Sequence, residues 1–456
     1  MLNVALTAFI LLFFAMGLRR PFVWVLAYLY IDILTPQKIS WGLLSTLPVS
    51  LIAFVLAFAG WALLDDKRDS RFTLRQGLIL VLLVYCGITT LAADFPAQAF
   101  EKWAWVWKAL VFAVFLPLTL RTRLRIEATA LVMILTLGAL VIDGGLKTLA
   151  GGGGYGTLRL FFDDNSGIVE GSTLSTVAIA VIPLIWWLVR HGTIFERSRL
   201  TVLFGIGLTV ASLLIPIGTQ TRTGLLCIVL LGLLTLRSVR RRALFSGAAA
   251  LAVVVALPFL PSSYTERMST IEDHRSDQSA STRVEVWKWT LQYVQDHPFG
   301  GGFDAYRGNS IRVETRRAVG AGSNTVTVEV GETFDKARAY HSAYFEMLGE
   351  QGWPGLMLWL WLQVLGLWQM ERLRARWKNR SGPGQDWQAP LANALQQAQI
   401  IYLFGALFVG IAFQPFMFMV IGLQCGLWSY LSRTEAPPVR AGRKPVQLSL
   451  SRAGLP

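Results

Sequence analysis

The chain has 456 residues, 54% of them hydrophobic and only 15% charged, with a formal net charge of +14. A soluble protein of this length needs far more polar surface, which excludes the soluble classes. The positive charge does not mark a nucleic-acid binder, because it gathers in short connections: Lys67/Arg68/Arg71/Arg75, Arg121/Arg123/Arg125, Arg190/Arg197/Arg199, Arg237/Arg240/Arg241/Arg242 and Arg372/Arg374/Arg376/Lys378/Arg380, with Arg433, Arg440, Arg443 and Lys444 in the tail. These read as cytoplasmic anchors of membrane spans.

In chain order the predicted spans are 2–16, 22–34, 47–64, 77–92, 103–120, 126–141, 172–189, 200–217, 224–236, 243–260, 343–370, 395–413 and 416–431. Many reach or approach the ~20 residues that cross a ~30 Å hydrocarbon core. They are continuous apolar runs rather than alternating ones, which excludes a β-barrel. The first lacks a basic n-region and a small-residue cleavage site, and reads as a retained helix. The first two are short, either two spans or one broken pair, so the count is about 12 or 13. The predicted fold is an all-α polytopic membrane protein with one large, partly helical loop. Its regions are 1–260, N-terminal transmembrane helices; 261–342, the loop; 343–432, C-terminal transmembrane helices; and 433–456, a basic cytoplasmic tail. Alternation of basic and less basic connections puts the C-terminus inside. The same alternation puts the connections 144–171 and 218–223 and the long loop together outside.

The 144–171 connection carries Gly151–Gly154 and then Asp163 and Asp164. A metal site needs further convergent ligands, so the pair reads as a solvated acidic turn. Cys86, Cys227 and Cys425 lie in apolar segments, so no disulfide framework or zinc site is expected. The long loop has eleven acids against ten bases. It is not a basic arm, and its arginines must be judged singly. Residues 281–296 read as an amphipathic helix, capped by Ser279 or Ser281. Val284, Trp287, Leu291 and Val294 share one face, with Arg283 and Lys288 off it. His297-Pro298-Phe299-Gly300-Gly301-Gly302 ends that helix in a turn. Arg307 and Arg312 follow in irregular chain, and 313–334 reads as a short hairpin or a lid.

Two residues stand out for chemistry. Arg222 lies in a short outer connection between two apolar spans, against the positive-inside trend. The plain reading is an arginine snorkelling to the interface. Three neighbouring hydroxyls and an amide favour an anion pocket instead. His341 stands where the loop re-enters the membrane. An interfacial histidine bonded to the loop is the plain reading. Its imidazole is also the side chain best poised to take a proton near neutral pH. Glu346 and Glu350 follow one turn apart, placed to orient His341 or to pair with an arginine. The tryptophans mostly sit near span ends, as an interfacial belt rather than a sugar platform.

These motifs resemble those of bacterial O-antigen ligases and polymerases. The likeness rests on Thr221-Arg222-Thr223-Gly224, Ser281-Thr282-Arg283 with Trp287, the His297–Gly302 turn, and His341-Ser342-Ala343-Tyr344 followed by Leu348-Gly349-Glu350-Gln351-Gly352. It covers roughly 200–370. The N-terminal part, with Arg19-Arg20-Pro21-Phe22, Thr35-Pro36 and Trp41-Gly42, is similar to the exosortase-associated O-glycosylation ligases of the same superfamily. The resemblance implies an inverting membrane glycosyltransferase of the GT-C class, in a bacterial inner membrane with its site facing the periplasm. Its donor would be a glycan on undecaprenyl diphosphate, and its acceptor a lipid A–core sugar hydroxyl. No metal and no cofactor would be needed, and membrane lipids rather than nucleic acid would surround it. In that reading Arg222 and Arg283 hold the pyrophosphate, with Arg307, Arg312 and Arg338 as further candidates, and His341 is the base. A protein acceptor and a second lipid-linked glycan are the alternatives with the same donor. A transporter of lipid-linked glycans is disfavoured, because no inverted repeat or matched pair of broken helices is visible.

Overall fold

The computed structural model describes residues 2–40, 43–67, 70–152, 154, 158–160, 167–237, 241–244, 246–247, 278–322, 325–380 and 382–434. The apolar runs fold into helices, because a backbone in lipid must satisfy its own hydrogen bonds. The first eight are α1 (Leu2–Arg19), α2 (Phe22–Leu34), α3 (Pro36–Ile39), α4 (Leu43–Thr46), α5 (Val49–Leu63), α6 (Leu74–Leu91), α7 (Pro96–Thr119) and α8 (Arg123–Leu149). Then come α9 (Gly171–His191), α10 (Arg199–Gly218), α11 (Arg222–Leu236), α12 (Gln278–Asp296), α13 (Ala343–Trp377), α14 (Gln388–Gly405) and α15 (Pro415–Thr434). Among the described residues, six helices are long and apolar enough to cross a membrane (α6 to α10 and α15). Shorter apolar helices lie within α1, α2, α5 and α11. The predicted span 243–260 and the acidic pair Asp163 and Asp164 lie largely or wholly outside the described residues.

The first two apolar runs are separate helices. The chain turns at Arg20-Pro21, and Phe13 stacks on Tyr30 at 5.9 Å in an antiparallel pair. Polar caps start the later helices. Thr73 and Gln76 form a capping box on α6, Thr122 caps α8, and Glu170 accepts from the Ser172 and Thr173 amides at the start of α9. These side chains satisfy backbone donors that a helix leaves open at its N-terminus. Helix α9 is packed by α8, α10, α11 and α14.

The alternation of the helices sorts their connections to two ends. At one end the arginine-rich turns are tied down: Arg125 to Asp65 at 2.6 Å, Arg121 to Asp66 at 3.0 Å, and Arg123 to the His191 carbonyl at 2.7 Å. Arg237 of the next basic connection pairs with Glu371 at 3.0 Å. At the other end a second set of connections meets. The Asp94 amide donates to Gly301 O at 2.9 Å, Gly154 N to Gly218 O at 2.9 Å, and Ala343 N to Ala406 O at 2.8 Å. The expected grouping of 144–171, 218–223 and the long loop is therefore the observed one.

Three local expectations need correction. The predicted span 395–413 is helical only to Gly405, since α14 runs from Gln388 to Gly405. Residues 406–414 stay apolar but leave the helix, because other groups take their backbone: Glu346 accepts the Ala412 amide at 3.0 Å, Tyr402 donates to Ile411 O, and Trp359 to Ala412 O at 3.2 Å. The buried face of α12 is Val286, Thr290 and Val294. Val284 and Leu291 are exposed. Both faces carry apolar residues, but Trp287 selects one of them. Its indole donates to Tyr340 O at 2.9 Å and its ring stacks on Phe345 at 4.8 Å. Arg283 thus falls on the packed side of the helix rather than off it. β1 (Ser310–Gly322) and β2 (Thr325–Lys336) pair antiparallel with Ser310 opposite Lys336, which is the hairpin alternative for 313–334 but puts Arg312 on a strand rather than in irregular chain.

The long helix α13 breaks at Gly352, whose φ of 62° and ψ of −169° lie in a region open essentially to glycine. The break frees carbonyls on the turn before it, and the loop after α12 uses them. Gly301 N donates to Gly349 O at 3.0 Å and Gly302 N to Glu350 O at 2.9 Å. Tyr85 donates its hydroxyl to Gln351 O at 2.9 Å. A Cβ at Gly352 would stand 2.3 Å from Pro298 O. The glycine turn 300–302 is therefore locked onto α13, and this sets where the chain emerges toward His341.

Candidate active site

Beside this joint lies a cavity of about 550 Å³. Its walls come from five places: the first turns of α7, the start of α9, α12 with the turn that follows it, the chain entering α13, and the 408–414 connection. His341, Arg283 and Arg307 line it, with Glu170, Ser172 and Thr173 from α9 and Asp304 and Tyr306 from the loop.

His341 directly precedes Ser342, the N-cap of α13. Its φ of +49° is left-handed. A non-glycine residue held there costs about 1–3 kcal/mol and persists only where its surroundings dictate it. Here the backbone is clamped on both sides: Trp287 holds the Tyr340 carbonyl and Ala406 O accepts from Ala343 N. The imidazole is open to the cavity, yet enough protein surrounds it to make its charged form costly. That desolvation holds its pKa below the ordinary 6.5. The Arg283 charge lowers it further, Glu170 opposes, and Arg338 lowers it again. The ring is thereby kept neutral, with a free lone pair, over more of the pH range.

The remaining predicted residues divide. Arg307 lies against Asp304 at 3.4 Å on the cavity wall. Arg338 is ion-paired with Asp335 and is not in the lining. Arg312 sits on β1, opposite Phe334, away from the lining. Arg222 opens α11 and is also outside the lining. Two of the three hydroxyls expected to form an anion pocket with it, those of Thr219 and Thr221, bond Ser175 of α9 at 2.9 Å. These bonds fix the Arg222 turn one helical turn from the lining residue Ser172.

The sequence reading missed the cluster at the other end of the cavity. Lys102 of α7 donates to Glu346 at 2.7 Å and to Glu350 at 2.8 and 2.9 Å. Glu346 and Glu350, expected to orient His341 or to pair with an arginine, therefore pair with a lysine. Glu350 also accepts the Asp304 amide at 3.0 Å. Glu350 is fully buried and Glu346 nearly so. Together these three residues tie α7, α13, the loop after α12 and the 406–414 connection into one frame. A signal was present: two glutamates four residues apart on an apolar helix require a cation. Which cation could not be read, because Lys102 is some 244 residues away in the chain.

The fold is thus that of a multi-pass membrane protein with a polar cavity at the end away from the tied arginine-rich turns. Comparison with family models agrees with that class. Residues 207–360, which include His341, Arg283 and Arg222, match the O-Antigen ligase family, and residues 1–193 match a family of unknown function (DUF5935). No curated protein matches the chain. Residues 207–360 thus form an O-antigen ligase domain, the domain of a family of membrane glycosyltransferases.

Proposed function

We propose that the protein transfers a glycan from undecaprenyl diphosphate to a sugar hydroxyl, as in O-antigen ligation to lipid A–core, with inversion at the anomeric carbon. The observation that carries the reading is that His341, with its lowered pKa, and Arg283 line one cavity. In this reaction His341 takes the proton of the attacking acceptor hydroxyl. The acceptor oxygen bonds to the anomeric carbon while the bond from that carbon to the phosphate oxygen breaks. Undecaprenyl diphosphate leaves with the bonding electron pair. Arg283 stabilises the charge growing on the leaving phosphate, since a guanidinium is always charged and pairs bidentately with phosphate oxygens. Arg222 acts on the same diphosphate from the turn bonded to Ser175, and Arg307 supports it from the cavity wall. Arg338 and Arg312 lie off the lining, and Arg338 acts on His341 through its charge. The pyrophosphate is itself the activated leaving group, so the step requires neither nucleotide nor metal. The basic turns face the cytoplasm in this reading. The chain crosses the inner membrane 12 or 13 times, and the cavity opens to the periplasm.

The test is transfer in proteoliposomes with purified donor and three acceptors: lipid A–core, a Ser/Thr peptide, and a second molecule of donor. Glycan on lipid A–core is the expected product. Chain growth on undecaprenyl diphosphate alone would mean a polymerase, and glycosylated peptide a protein ligase. Movement of donor across the bilayer without its consumption would overturn the enzyme reading.

A further inference from the structure

The first turns of α7 present Gln98, Glu101, Lys102 and Trp105 to the cavity. The spacing of three, one and three residues puts them on one face of the helix. Lys102 is committed to Glu346 and Glu350. The other three form a different kind of surface. Trp105 is 40% exposed, whereas its neighbours Trp103 and Trp107 pack on the hydrophobic core. An interfacial tryptophan faces lipid. This one faces a cavity that also contains charged side chains.

An aromatic face flanked by an amide and a carboxylate is suited to a sugar ring. The apolar C–H face of a pyranose covers the indole, and planar polar side chains exchange paired hydrogen bonds with adjacent hydroxyls. The charge at this end also selects. Glu101, Glu346 and Glu350 line it beside Lys102, three carboxylates against one cation, while Asp304 and Arg307 pair with each other. A diphosphate is repelled from such a wall, and an uncharged hydroxyl-rich ring is not. The charges felt by His341 are different ones, namely Arg283, Glu170 and Arg338. The lining therefore includes one group of side chains suited to phosphate and another suited to hydroxyls.

We infer that Gln98, Glu101 and Trp105 form a saccharide subsite that holds an uncharged sugar ring of the acceptor. The inference rests on the transfer reaction proposed above and adds the residues that hold its sugar acceptor. The full-length protein in nanodiscs is titrated calorimetrically with a short uncharged oligosaccharide glycoside, without donor. Transfer kinetics are then measured with both substrates varied. Trp105→Ala is expected to weaken glycoside binding about tenfold and to raise the acceptor KM by a similar factor, with the donor KM unchanged. Trp105→Phe, which keeps an aromatic face, stays within about threefold of wild type. Glu101→Gln lowers affinity without changing the donor KM. Unchanged glycoside affinity in both Trp105→Ala and Glu101→Gln overturns the subsite. A rise in the donor KM alone overturns it too, because the face would then hold the donor glycan. Wild-type protein that ignores the glycoside but glycosylates a peptide overturns the subsite and the sugar acceptor together, leaving only the donor and the base chemistry. Glycoside binding that requires Trp105, in a protein that never transfers, supports the subsite and refutes the reaction.

Discussion

Lys102→Met is expected to lower the stability of the folded protein by about 3–5 kcal/mol, the cost of leaving a buried charge partner uncompensated. Glu350 is fully buried and accepts from Lys102 at 2.8 and 2.9 Å. Methionine keeps the length and apolar stem of lysine but supplies no charge and no donor. Two carboxylates would then face each other one turn apart on α13, with only the Asp304 and Ala412 amides as fixed donors. Because this cluster joins four segments, its loss should loosen the cavity walls together. Thermal unfolding in detergent at neutral pH measures the effect. Adding Glu346→Gln and Glu350→Gln to Lys102→Met should recover much of the loss, since neutral amides need no counter-charge. An unfolding midpoint equal to that of wild type would show that the cluster does not hold these segments.

Arg283→Ala is expected to reduce transfer by a factor on the order of 10²–10³, the usual consequence of removing one preorganised donor at a developing negative charge. A second signature separates this from simple misfolding. The Arg283 charge helps to hold the His341 pKa below 6.5. A base works in its neutral form, so the rate falls as pH drops through that pKa. Without Arg283 the pKa rises toward the ordinary value, and the acidic limb of the residual pH–rate profile moves to higher pH. Arg283→Lys keeps a positive charge but loses the bidentate fork. It should leave the limb near its wild-type position while still lowering the rate. A limb that does not move in Arg283→Ala would separate the two residues electrostatically.

Much of the fold was legible because lipid imposes a simple rule: a continuous apolar run becomes a helix. The rule failed at 406–414, where the chain is as apolar as a span. Glu346, Tyr402 and Ala343 there take over the backbone hydrogen bonds that a helix would have made. The side of α12 that bears Arg283 was misread for a related reason. Val284 and Val286 are equally apolar in sequence, and only the docking of Trp287 on Tyr340 and Phe345 decides between the two faces. His341 was conspicuous as an imidazole at the edge of a span, but its left-handed backbone was not. That strain comes from contacts with Trp287 and Ala406, both distant in sequence. Lys102 and Trp105 were hidden altogether, since a lysine or tryptophan near a span end is ordinary until the cavity beside it is seen.

The most direct test is single-turnover transfer by His341→Ala in proteoliposomes, following release of undecaprenyl diphosphate from saturating donor in the presence of a sugar acceptor. Loss of the base should lower the rate by about 10²–10⁴-fold with donor affinity intact, and should abolish the acidic limb expected of wild type as pH falls through the lowered His341 pKa. Transfer by His341→Ala at near the wild-type rate, with the limb still present, would contradict the assignment of His341 as the base.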